Sequence, residues 1–261
     1  MKKKIAAMAL LALLAGVLQA EDIRVVVPYL GAATNVYENP DLPNALKDTK
    51  LMEGLFFQWV NPDRFQANAF IYHSADINYS QLWGGHLIGD FYVWSNRLGK
   101  AAVGAGFEVI SLDMDAGVGE ILPGSTFQLP LKIYVPYARA GHYFNLGSRS
   151  KVLLSVFPWA GVEYDITRGD ITIVPGPPPI NIDDETLYGI AGLSVSATIM
   201  HFIELQAKYK ATFNADDLLH AVDAMANVFF TRHWGLSYRF KYMQSTSGST
   251  SYHLGGIAYV F

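Results

Sequence analysis

The sequence predicts an all-β chain: a transmembrane antiparallel up-and-down β-barrel of about twelve strands. Three observations carry that expectation. Segments of about ten residues alternate apolar and polar side chains, the period of a strand with one face in lipid. The links between them alternate short and long, as they do when turns gather at one end of a barrel and loops at the other. Charge is scarce, since Asp, Glu, Lys and Arg make up 16% of the 261 residues and hydrophobic residues 51%. An ordinary soluble domain carries about a quarter charged residues.

Residues 1–20 read as a secretory signal peptide. Lys2, Lys3 and Lys4 form a positive start, Ile5 to Val17 an apolar core, and Leu18-Gln19-Ala20 a cleavage site before Glu21. No other stretch approaches the eighteen apolar residues that a spanning helix needs. Residues 21–261 then form one barrel domain. The chain has no cysteine, so neither a disulfide nor a lipid-modified cysteine is available. A net charge of -4 supplies no basic surface for nucleic acid.

Ile23 to Ala33 opens the barrel, with Val25, Val27 and Tyr29 on one face and Pro28 marking an irregular, edge-like strand. After a polar loop, 38–50, Leu51 to Val60 pairs with Phe65 to Ser74 across Asn61-Pro62-Asp63, a tight turn in proline chemistry. Gly84 to Trp94, Ala101 to Leu112 and Leu131 to Tyr143 follow, the last after a Gly/Pro-containing loop, 113–129, expected to constrict the lumen. Val152 to Tyr164 precedes the longest predicted loop, 166–185. Leu187 to Ile199 and Ile203 to Phe213 meet at Met200-His201-Phe202; Glu204, Gln206, Lys208, Lys210 and Thr212 alternate with apolar residues in the second. Ala221 to Phe230 and Gly235 to Gln244 lead through a polar loop, 245–250, to Tyr252–Phe261. Five short and six long links place both termini on one side, expected to be the periplasm.

The final strand ends in a glycine followed by aromatics at the third and fifth positions: Gly256, Tyr259 and Phe261. This resembles the C-terminal assembly signal of Gram-negative outer-membrane β-barrels, although Leu254 stands where that pattern wants a polar residue. The resemblance implies location in the bacterial outer membrane, contact with its lipid and lipopolysaccharide, and delivery by the barrel-assembly machinery. Autotransporter translocators are similar twelve-stranded barrels, but they carry a passenger and a plugging helix ahead of the barrel, and here Ile23 begins almost at the cleavage site.

Aromatics expected at strand ends, as interfacial girdles, are Phe65, Trp94, Tyr143, Phe202, Phe213, Trp234, Tyr242, Tyr259 and Phe261. The inward face is expected to carry Gln66, Asn68, His86, Asp90, Glu108, Lys132, Glu163, Asp165, Glu204, Lys208, Lys210, Asp223, Asn227, Arg239 and Lys241. Charges in a lumen must be paired or hydrated. A basic sector of Lys208, Lys210, Arg239 and Lys241 is therefore expected to face Glu163, Asp165 and Asp90, and these seven are the candidate selectivity residues.

Catalysis is not expected. Lipid-A deacylases and the outer-membrane phospholipase separate the catalytic His from the Ser by one residue on one strand face, whereas His73 and Ser74 are adjacent and alanine follows. Omptin-like Asp/His pairing could be mimicked only by Asp90 and His86, mid-barrel. No metal cluster, phosphate loop or nucleotide fingerprint is present, so no metal or other cofactor is expected. Arg168-Gly169-Asp170 spells an integrin-binding tripeptide on the longest loop, a short motif that arises readily by chance. The functional expectation is a narrow channel for small solutes; the alternatives are a structural or interaction barrel and, behind it, a lipid-directed hydrolase.

Overall fold

The computed structural model describes residues 22–37, 46–75, 80–96, 99–117, 126–148, 151–200, 202–245 and 248–261. The expected signal peptide, the centre of loop 113–129 (118–125) and Asp76 lie outside the described residues. Twelve antiparallel strands close into one barrel. They are β1 (Ile23–Tyr37), β2 (Leu46–Asn61), β3 (Phe65–Ser74), β4 (Ser80–Asn96), β5 (Gly99–Gly117), β6 (Thr126–Ser148), β7 (Val152–Val174), β8 (Ile180–Ile199), β9 (Ile203–Phe213), β10 (Leu218–Phe229), β11 (Trp234–Ser245) and β12 (Gly248–Val260). Every strand pairs with its chain neighbours, and β1 closes on β12 from Val25↔Val260 to Tyr37↔Gly248. No sheet edge remains, which is what a backbone surrounded by hydrocarbon requires.

The outward face is apolar. Leu30, Leu87, Phe91, Val103, Val162, Leu193, Leu205, Leu236 and Ile257 are all exposed, alternating with side chains that point inward. Exposed Trp94, Phe202, Trp234 and Phe261 sit at the end that holds the termini, here named the turn end. Trp94 reaches this girdle through a bulge: the β4–β5 register slips by one residue between Tyr92 and Trp94, so Tyr92 points inward while Val93 and Trp94 are both exposed. Tyr143 departs from expectation. It stacks on Phe157 inside the barrel, with ring centroids 3.9 Å apart.

The prolines interrupt ladders without ending strands. Pro28 pairs in register with Leu55 on β2, but the β1–β12 ladder skips Val27 and Pro28, so β1 is an interior strand with a gap rather than an edge. The β6–β7 ladder likewise skips beside Pro130, Pro136 and Pro158, each lacking the N–H that would donate.

Strands run farther than expected. The predicted loop 166–185 is mostly strand, because β7 continues to Val174 and β8 starts at Ile180; 113–117 and 126–129, expected in the constricting loop, are paired strand. Arg168-Gly169-Asp170 therefore lies within β7, with Arg168 ion-paired to Asp183 and Glu185 on β8. The predicted loop 245–250 shrinks to the two residues 246–247 between strands. A ten-residue strand at the usual tilt rises about 25 Å, enough for the hydrocarbon core. The 23 residues of β6 and β7 exceed that and form a raised wall at the far end, here named the hairpin end. Beyond lipid both faces of a hairpin are wet, so the alternation that betrays a membrane strand is lost there.

Candidate functional site

The lumen divides into a packed mid-section and an open cup. Two apolar clusters line the mid-section, contrary to a uniformly polar interior. Val25, Val27, Tyr29, Met52, Phe56, Phe70, Tyr72, Met225, Tyr252 and Leu254 pack along the wall formed by β1, β2, β3, β10 and β12. Ala102, Phe157, Trp159 and Ile190 pack on the wall formed by β5, β7 and β8. Small residues make room for the rings. A Cβ on Gly54 would lie 2.7 Å from the Phe70 ring, and one on Gly106 would overlap Tyr137, so these glycines let aromatic side chains lie flat over the neighbouring strand.

Charged pairs bridge the clusters. Arg139 grips Asp90 with two hydrogen bonds, Nε to Oδ1 at 2.9 Å and Nη2 to Oδ2 at 2.6 Å, and the Tyr143 hydroxyl donates to the same carboxylate at 3.0 Å. Arg239 holds Asp223 in the same forked way, at 3.1 and 2.6 Å, with its guanidinium 4.3 Å from the Phe70 ring centre. Lys210 donates to Glu163 at 2.8 Å, and Thr212 donates to the other Glu163 oxygen at 2.9 Å. Lys241 on β11 reaches Glu108 on β5 at 3.4 Å. Those strands stand six apart in a ring of twelve, so this pair spans the lumen from wall to wall. The His86 ring lies tilted against Phe70 on the same inward face, with centroids 5.9 Å apart. A hydrogen-bonded chain completes the layer: the Tyr29 hydroxyl meets Ser237 Oγ at 2.6 Å, Ser237 donates to Asn227, and Asn227 and Gln206 both donate to Glu204.

The structure thus redistributes the expected basic sector. Of the seven candidate residues, only Lys210 and Glu163 pair with each other; Arg239, Lys241 and Asp90 take partners from outside the set, Asp223, Glu108 and Arg139. Asp165 Oδ1 is buried and makes no hydrogen bond among the described residues. Lys132 is exposed and points outward, opposite Arg168 in the β6–β7 register, because the inward parity of β6 is odd. That parity also delivers Arg139, which sequence reasoning missed. Its signal was present, since Tyr137, Arg139 and Tyr143 share one phase and Ala138 and Ala140 the other.

The cup opens at the turn end and holds a cavity of about 930 Å³. Gln58, Gln66, Asn68, Ser155, Ser194 and Ser196 line its wall, and Arg139, Lys208 and Phe157 its floor. Lys208 also lines the small gap beneath, with Asp223 and Arg239. At the rim Lys100 bonds to the Pro62 carbonyl and lies 4.7 Å from the Tyr92 ring centre.

The other candidate residues fall elsewhere. Ser74 is buried on the inward face, while the His73 imidazole leaves the outer face toward Glu53, 3.7 Å away. Asp90 is fully engaged by Arg139 and Tyr143, on a strand it shares with His86. At the C-terminus, Gly256 points inward where a Cβ would lie 2.8 Å from both Val27 and Tyr29, and Tyr259 packs outside between Trp234 and Phe261, 4.6 and 4.8 Å away.

No protein-family model matches the chain, and no curated protein matches it. Solved structures do resemble it. The translocator domain of the autotransporter NalP from Neisseria meningitidis superposes with a TM-score of 0.59 at 15% identity, covering 100% of this chain and 96% of that one. The transport unit of the autotransporter AIDA-I from Escherichia coli gives a TM-score of 0.57 at 9% identity, covering 98% and 97%. At such identities the likeness is one of fold: a closed twelve-stranded barrel of the outer-membrane type.

Proposed function

We propose that the chain works in the bacterial outer membrane as a barrel sealed at mid-depth by its own side chains, not as a standing pore. Its working surfaces are then the polar cup and the raised β6–β8 wall. The observation that carries this reading is the Glu108–Lys241 pair, which ties opposite walls between two apolar clusters. A buried pair of this kind holds its place because parting it leaves two charges without partners. Orientation follows the reach of the hairpins: β6, β7 and β8 run on past their neighbours at the hairpin end, so that end faces outward and the turn end faces the periplasm. The exposed apolar belt contacts outer-membrane lipid, the raised wall stands among lipopolysaccharide or binds partners there, and the C-terminal strand is presented to the barrel-assembly machinery. No catalytic role is assigned, since Ser74 and His73 leave opposite faces of one strand.

A second reading, a gated narrow channel for small solutes, is favoured by one observation: the cup leads to a cationic floor in which Lys208, unlike its neighbours, lacks a carboxylate partner among the described residues. Proteoliposome swelling separates the two. A sealed barrel leaves swelling in glycine or arabinose at the rate of protein-free vesicles. Swelling that falls with solute size supports the channel and removes the sealed reading.

A further inference from the structure

The floor of the cup carries one cation that no ion pair reaches among the described residues. Lys208 points inward from β9 and lines both the cup and the gap beneath it. Asp223 stands opposite it in the β9–β10 register, Arg239 shares the gap with both, and Arg139 lines the cup with it and holds Asp90. The two carboxylates are already engaged in forked pairs with the two arginines. Each pair is neutral, so neither carboxylate is committed to Lys208, and no ion pair reaches its ammonium among the described residues. An ammonium so placed needs water or an anion. Glu204 stands on the same inward face of β9, nearer the turn end, with both oxygens taken by Gln206 and Asn227. It disfavours a second negative charge on anything that enters.

A second observation is independent of charge. Asn68, 4% exposed, lines the cup, and its Oδ1 makes no hydrogen bond among the described residues. A carbonyl oxygen there calls for a hydroxyl or N–H donor. The surrounding wall supplies further hydroxyl and amide groups from Ser155, Ser194, Thr198 and Gln66, a surface suited to a polyhydroxylated molecule.

From these features we propose that the cup is a binding site for a small organic monoanion that carries hydroxyl groups, a hydroxy-carboxylate in kind. Its carboxylate sits at Lys208 and its hydroxyls meet the amide and hydroxyl groups of the cup wall, Asn68 among them. The site deepens the reading of the cup as a working surface, and equilibrium binding to it does not depend on whether the mid-section conducts.

The test is calorimetric titration of the full barrel, refolded in detergent, with gluconate and with sorbitol as the uncharged counterpart. Saturable gluconate binding is expected, with sorbitol weaker by about tenfold or more, the scale of one charge-assisted contact. Lys208→Met should lower gluconate affinity by a similar factor, and Asn68→Leu by a smaller one. The heat-dependent gel mobility of a folded barrel controls for folding. If Lys208→Met does not fold, the gluconate–sorbitol contrast in the unaltered protein decides alone. Equal titration of the two probes, no saturable binding of gluconate, or undiminished affinity in folded Lys208→Met overturns the proposal. Swelling of liposomes, by contrast, tests the seal and leaves this outcome untouched.

Discussion

The mid-section and the cup are built on the same strands, by the same alternation, and differ in what their inward side chains do. In the mid-section the arginines are held in forked pairs and set against rings: Arg239 lies 4.3 Å from the Phe70 centroid and 5.3 Å from that of Phe56 while holding Asp223. In the cup, amides and hydroxyls face a cavity of about 930 Å³, and Lys208 makes no ion pair among the described residues. A twelve-stranded ring lies between the small barrels that side chains fill and the wide ones that hold water. Here bulky aromatics fill the mid-section and leave the cup open. Whether a barrel is open is decided by the size and pairing of inward residues layer by layer, not by strand number.

The largest effect should come from breaking a mid-section pair. Arg239→Ala leaves Asp223 without its partner and removes the cation stacked on Phe70, and we expect a loss of about 3–5 kcal/mol in urea unfolding from lipid vesicles. An unfolding midpoint equal to that of the unaltered protein would mean that water reaches this layer as freely as it reaches the cup.

Next in size is the contrast between a charge placed in lipid and one placed in the cup. Leu87, 58% exposed at the middle of β4, faces outward, and Leu87→Arg should cost about 2–4 kcal/mol. Gln66→Arg, on the cup wall, should stay within about 0.5 kcal/mol, as a hydrated position does. Equal costs would show that the outward face is not the lipid face.

A finer probe is the pair across the diameter. A double-mutant cycle with Glu108→Gln and Lys241→Met should give a coupling of about 0.5–3 kcal/mol. Additive losses would mean that the two walls do not feel each other.

The smallest effect concerns the raised wall. Glu185 is held below its usual carboxylate range by the Tyr164 hydroxyl and then by Arg168. A carboxylate depressed on folding stabilises at pH above its unfolded value and loses that contribution as pH falls through the folded one. Protease resistance of the 164–185 hairpin should therefore be flat from neutral pH to about 5 and decline below about 4. Glu185→Gln should remove that dependence.

Much of the architecture was legible because lipid imposes it. Where one face is apolar and the other polar, as in Ile203 to Phe213, alternation marks the strand and its inward residues correctly. Legibility failed where that constraint lapses. β7 and β8 continue past Asp165 into water, and a hairpin wet on both faces reads as loop. In β1 and β12 both faces are apolar, so nothing local shows that Val25, Val27, Tyr252 and Leu254 line the lumen. The site was less legible still. Alternation places a charge inward but does not name its partner, and Glu108 finds Lys241 133 residues away only through closure of the ring. Lys132 was placed inward and Arg139 missed because β6 begins outside the membrane, where its phase is unmarked.

Single-channel recording in planar bilayers tests the seal most directly. The folded, unaltered barrel is expected to give no discrete current steps at either polarity, because Glu108, Lys241 and the rings around them occupy the mid-section. Steps of constant amplitude from that same protein, present at all voltages, would contradict it and show an open path from the cup to the hairpin end.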